Sequence, residues 1–96
     1  MRDQNIVPLQ LRVTLDDIRK KVRSTSYTRL SGTVTVCQME MVNGYVVVGK
    51  SACVDPNEYN QALGEKFAYE DAINQLWPLE GYLLAQRRYE SEKEAA

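Results

Sequence analysis

The spacing of apolar residues changes character along the chain, and each change marks a predicted element. Before Val13 there is no clean period, and Pro8 interrupts the run, so 1–13 reads as an extended arm with Leu9–Val13 as its candidate edge strand. Thr14 then precedes Leu15-Asp16-Asp17, a hydroxyl N-cap with carboxylates in the first turn, and Arg19, Lys20, Lys21 and Arg23 follow. That charge order suits a helix dipole. Leu15, Ile18 and Val22 recur at i, i+3 and i+7, giving one narrow apolar stripe. Ser24–Gly32, rich in Ser and Thr and ending in Ser31-Gly32, has the chemistry of a connector.

The period then drops to two. Residues 33–42 and 45–54, dominated by Val, Thr, Met and Tyr, flank Asn43-Gly44, the pair best able to take φ > 0 at both centres of a type I′ turn. A two-residue turn sets Val42 against Tyr45, Met41 against Val46, Met39 against Val48, Cys37 against Lys50 and Val34 against Cys53. On that register Met39, Met41, Val46, Val48, Ala52 and Val54 share an apolar face. The opposite face, with Val34, Val36, Gln38, Glu40, Val42, Tyr45, Val47, Gly49 and Ser51, is only half polar. A lone two-stranded ribbon is barely stable in water, so the arm or another copy of the chain is expected to cover that face or a free edge.

Asp55-Pro56-Asn57-Glu58 predicts a helix start: an N-cap Asp, Pro at the first position and Glu at the third, ready for a capping box. From Tyr59 to Trp77 the apolar positions follow a helical period, interrupted by Gly64, which marks a kink or a close approach. Pro78 ends or bends the helix, Leu79–Tyr89 resumes it, and 90–96 reads as a charged, solvated tail. The expectation is a single small α+β domain spanning 1–96: an N-terminal helix, an antiparallel β-hairpin, and a long C-terminal helix or helix pair kinked at Pro78.

Composition narrows the chemistry. The chain has 96 residues, 44% of them hydrophobic and 26% charged, with a net charge of −1. That is a foldable balance at a size where oligomerisation helps. No basic field exists to hold a nucleic-acid backbone, so duplex binding is disfavoured. No apolar run reaches the roughly 20 residues of a membrane span, and the first residues lack a secretion signal's apolar stretch, so an unexported, soluble protein is expected. Histidine is absent, which removes the commonest general base and metal ligand. Cys37 and Cys53 lack CxxC spacing and any histidine to activate a thiolate, so they read as reduced structural residues. No enzyme, metal or cofactor is predicted.

Binding chemistry survives this elimination. Gly49-Lys50-Ser51 runs toward the predicted Asp55 helix start, where amides, a hydroxyl and an ammonium could converge on an anion. The plainer reading is that Gly49 relieves crowding and Asp55 already occupies the cap. Tyr27 with Arg29, and Tyr82 with Arg87 and Arg88, pair aromatic faces with guanidinium groups, the combination that stacks bases and clamps phosphates. Tyr59, Tyr69 and Trp77 read instead as core or interface anchors.

From Thr35 to Leu84 the chain resembles a family of short, mostly uncharacterised proteins of tailed bacteriophages. The shared residues are Thr35-Val36-Cys37, Asn43-Gly44, Gly49, Ser51-Ala52-Cys53-Val54-Asp55-Pro56, Gly64, Ala68, Ala72 and Trp77-Pro78-Leu79-Glu80-Gly81-Tyr82-Leu83-Leu84. Lys50 stands where the pattern leads one to expect an acidic residue. The resemblance implies a phage product in the cytoplasm of an infected host, supplies no catalytic residues, and raises the weight of host takeover or defence evasion. The function expected on all of this is a non-catalytic counter-defence protein that oligomerises and sequesters a small nucleotide signal. Its expected ligand-binding residues are Lys50, Ser51, Tyr27, Arg29, Tyr82, Arg87 and Arg88. The alternative is a protein–protein inhibitor of a host enzyme or defence factor.

Overall fold

The computed structural model describes residues 12–95; the expectations placed on residues 1–11, including most of the Leu9–Val13 edge strand, lie outside them. Thr14 caps helix α1 (Leu15–Lys20) through a full capping box: its hydroxyl accepts from the Asp17 amide at 3.1 Å, and its own amide donates to the Asp17 carboxylate at 2.8 Å. Strands β1 (Val22–Arg29), β2 (Val34–Met41) and β3 (Val46–Ala52) follow, then a single 3-10 turn at Pro56–Glu58 and helix α2 (Gln61–Ala95). The strands make one antiparallel sheet in the order β1-β2-β3. The class is α+β, as the periodicities predict.

The predicted connector at Ser24–Gly32 is instead strand β1, and Val22 and Arg23 belong to it rather than to the helix. Thr25, Tyr27 and Thr28 favour a pleated strand, and once β2 offers a ladder, pairing overrides the turn preference of the serines. A bulge between Val22 and Ser24 absorbs the change of direction after α1. Gly32, at φ 71°, then turns the chain into β2.

The hairpin sits where Asn43-Gly44 places it, but its loop holds three residues. Met41 donates to the Tyr45 carbonyl at 2.8 Å, the Gly44 amide returns to Met41 at 2.9 Å, and Gly44 adopts φ 91°. With Val42, Asn43 and Gly44 inside the Met41–Tyr45 pair and Gly44 at positive φ, this is the three-residue loop with a bulge glycine rather than a two-residue type I′ turn. The register therefore slips by one: Met39 faces Val47, Cys37 faces Gly49 and Val34 faces Ala52. Because side chains alternate, the slip inverts the predicted faces of β3. Val47 is buried with Cys37, Met39 and Met41, whereas Val46 and Val48 point outward with Lys50.

The helix predicted to begin at Pro56 makes only the 3-10 turn, where Asp55 accepts from the Asn57 amide at 2.9 Å. Tyr59 is extended at ψ 134°, and Asn60 caps α2 by accepting from the Leu63 amide at 3.1 Å. Thereafter α2 is one helix of 35 residues with Pro78 inside it, and the predicted charged tail is its last turns.

Close approach explains how α2 grips the sheet. Its inward residues near β3 are Ala68 and Ala72, and a Cβ on Gly49 would stand 2.2 Å from the Ala68 carbonyl oxygen and 2.4 Å from the Ala72 nitrogen. Only glycine lets these backbones meet. Ile18, Cys37, Met39, Met41, Val47, Ala68, Ala72, Ile73 and Leu76 form the core. Gly64 does not break the helix; it makes room for Thr35, whose buried hydroxyl pairs with the Tyr59 hydroxyl at 2.9 Å.

Candidate functional site

The seven binding residues expected from sequence fall at three separate places. Lys50 and Ser51 are neighbours on β3, so they point to opposite faces: Lys50 is exposed, and the Ser51 hydroxyl turns inward to donate to the Gly64 carbonyl at 2.7 Å. The Lys50 amide is also taken, by the Asp71 carboxylate at 2.9 Å. The strand-to-helix corner thus offers no convergent cradle of amide, hydroxyl and ammonium.

Tyr27 is half-buried on the inner face of β1 opposite Cys37. Burial, with Cys37 adding to it, raises the Tyr27 phenol above its ordinary range. Burial likewise raises the Cys37 thiol, partly offset by a hydrogen bond with Tyr27. This pair belongs to the core. Arg29 does not stack on Tyr27; its guanidinium lies 4.2 Å over the Tyr59 ring and donates to the Gly32 carbonyl at 3.2 and 3.0 Å. Tyr82, Arg87 and Arg88 are exposed on the distal part of α2. At 1.5 Å per residue, Tyr82 is about 16 Å along the helix from Asp71, where Lys50 is anchored.

An arrangement with aromatic and cationic character exists elsewhere, in the groove between α1 and α2. Leu15, Arg19, Lys66, Tyr69, Glu70, Ile73, Asn74 and Trp77 line a cavity of about 390 Å³. The construction is local and simple. Leu15 and Arg19 are i, i+4 neighbours that α1 presents once Ile18 is sunk in the core. On α2, Lys66, Tyr69, Ile73 and Trp77 recur at helical spacing beside Glu70 and Asn74. Leu15, Tyr69, Ile73 and Trp77 give an apolar and aromatic lining. Arg19 and Lys66 supply two cations against the one carboxylate of Glu70, and Asn74 adds both donor and acceptor.

Sequence reasoning counted Tyr69 and Trp77 as anchors and missed this grouping. The signal available was the i, i+3, i+7, i+11 series from Lys66 to Trp77; what periodicity could not show was that α1 would lie alongside it. Trp77 keeps 37% of its surface exposed, which leaves its ring accessible from the groove.

Two further depressions lie among the described residues. One of about 160 Å³ lies beside Thr33, Cys53, Tyr59 and Phe67, where the Thr33 hydroxyl is already engaged with the Cys53 backbone. The other, about 300 Å³, opens between the hairpin loop and Leu76, Leu79 and Leu83. Lys21 and Glu80 close one wall of the latter with a 2.6 Å ion pair, the carboxylate almost wholly buried. No group of three or more His, Cys, Asp or Glu placed to hold a metal occurs among the described residues, and no helix there is long and apolar enough to cross a membrane.

Fold and surface together define a small α+β protein whose long helix crosses a three-stranded meander and whose grooves are furnished for contact. The chain belongs to the phage protein (N4 Gp49/phage Sf6 gene 66) family, whose model matches residues 13–88. No curated protein and no solved structure matches it significantly.

Proposed function

We propose that this protein is a non-catalytic phage accessory protein that oligomerises and sequesters a small nucleotide signal of host defence. The observation that carries the reading is the α1–α2 groove, which Arg19 and Lys66 line together with Tyr69 and Trp77. An aromatic face accepts a nucleobase by stacking, and a paired cation holds a phosphate; each contact is worth about 1–3 kcal/mol. The cavity's 390 Å³ is within the range of small-molecule sites. Asn74 offers an edge for base or ribose hydroxyls. Membership of a phage family supplies the setting, and the missing histidine leaves binding a better-supported role than turnover.

The protein is incubated with cyclic and linear nucleotides, freed of unbound ligand, and heated to release what it holds. Recovery of one intact nucleotide, lost in Trp77→Ala and Arg19→Ala, supports sequestration. Retention of none of them sinks it, and recovery of a cleaved product points to an enzyme.

A second reading, an inhibitor that binds a host enzyme or defence factor, draws on the outer sheet face. Val46 and Val48 are 42% and 51% exposed there, beside half-buried Val34 and Val36. A stoichiometric host protein captured without any small molecule, and released by Val48→Asp, favours that reading over sequestration.

A further inference from the structure

One buried charge in this molecule is only half satisfied. The Glu80 side chain is 9% exposed, and its Oε1 accepts from the Lys21 ammonium at 2.6 Å. A carboxylate has two acceptor oxygens, and a buried one is costly to leave underbonded. No donor among the described residues is hydrogen-bonded to Oε2. Glu80 lines the 300 Å³ cavity at the hairpin loop, so that cavity is where a second donor can stand.

The walls around it are fixed to one another. The Val42 amide donates to the Lys21 carbonyl at 2.8 Å, which pins the hairpin loop to the end of α1. Met41 and Leu76 belong to the core, and the ion pair ties α2 to Lys21. Apart from that pair the lining is mostly apolar, with Leu79 and Leu83 beside Met41 and Leu76. The rings of Tyr45 and Tyr82 join them from the solvent side, 54% and 70% exposed. A small pre-formed apolar cavity with one polar group inside it is the usual construction of a small-molecule site.

The polar group selects what can enter. An anion would meet the Glu80 carboxylate, and a full cation would place a second positive charge beside Lys21 in an apolar setting, at a high desolvation cost. A molecule without a donor would leave Oε2 unpaired. A neutral molecule with one N–H or O–H avoids all three. Size sets the rest: a cavity of about 150 Å³ holds benzene, so this one admits two fused rings, with the tyrosines as edge or face partners.

We propose that this cavity binds a neutral, flat aromatic molecule of one or two rings whose single N–H or O–H donates to Glu80. The site is separate from the α1–α2 groove and needs neither a nucleotide nor a second subunit, so it stands or falls apart from the sequestration reading.

Equilibrium dialysis of the full chain against indole and against 1-methylindole tests it, because the two probes differ in the donor. Indole should bind one per chain with a Kd of about 1 mM or tighter, and 1-methylindole about tenfold or more weakly. Glu80→Leu should bind both alike. In the wild-type chain, indole should shift the methyl NMR signals of Met41, Leu76 and Leu83 and leave the Tyr69 and Trp77 ring signals in place. Failure of indole to bind, equal affinity for the two probes in the wild type, or a preference that survives Glu80→Leu overturns the proposal. Shifts confined to Tyr69 and Trp77 overturn it as well, as does a second copy in the cavity, read as twice the chain's mass in light scattering with no indole bound.

Discussion

The two halves of α2 share one helical backbone and differ in almost everything else. Residues 61–80 meet the sheet through small side chains, with Gly49 and Gly64 admitting Ala68, Ala72 and Thr35 at distances no other residue would allow. In residues 81–95 burial thins out: Tyr82 and Leu83 only line the cavity at the hairpin loop, Leu84 is buried, and a Cβ on Gly81 would meet nothing within 4 Å. Packing therefore specifies the first half, whereas intrinsic propensity and whatever docks there govern the second. One substitution, Gly to Ala, should accordingly change sign along a single element.

The largest effect is expected where helix and sheet touch. Gly49→Ala drives a methyl into helix backbone that cannot yield, so the helix must lift and chemical denaturation should show a loss of about 3 kcal/mol or more. At the boundary between the halves, Lys21→Met leaves the Glu80 carboxylate buried without its partner. Since Lys21 itself is partly solvated, the loss should be about 1–2 kcal/mol, with Lys21→Arg retaining most of the stability.

Gly64→Ala gains helix propensity but forces Thr35 away from Tyr59, for a net loss of about 1 kcal/mol. In the free half, Gly81→Ala should instead stabilise by about 0.5–1 kcal/mol. If Gly64 and Gly81 respond alike, the contrast between the halves is wrong.

A pH series probes the packed half differently. The Tyr27 phenol and Cys37 thiol are raised in the folded state, so between unfolded and folded values the native chain binds more protons. Their contribution is complete below the ordinary thiol value of 9.0 and is lost as pH climbs through the folded ones. Thermal melts should therefore fall from about pH 9 upward, and less steeply in Tyr27→Phe.

Much of the fold was readable from spacing because local chemistry and packing agree there. The Thr14 cap, the hairpin at Asn43-Gly44 and the helical period after Tyr59 are of that kind. Strand β1 was hidden because its serines and threonines favour a turn in isolation, and only pairing to β2 decides otherwise. The hairpin register was missed by one residue because Asn-Gly suits both a two-residue turn and the bulge position of a longer loop. That small slip moved Val46 and Val48 to the outer face and brought Val47 into the core.

The candidate site was less legible still. The residues expected to bind share chemistry but occupy separate surfaces, whereas the grouping at Arg19, Lys66, Tyr69 and Trp77 depends on α1 lying along α2. Lys66 follows Arg19 by 47 positions in the chain, and no periodicity spans that interval. Chemistry named the right kinds of residue, and the docking of two helices decided which of them meet.

Native mass spectrometry of the protein purified from infected cells tests the central claim most directly, because it reports subunit number and retained ligand together. The account predicts a mass of at least two chains plus a heat-releasable nucleotide, with the nucleotide lost in Trp77→Ala. A bare single chain, or a complex with one host protein and no small molecule, would contradict it.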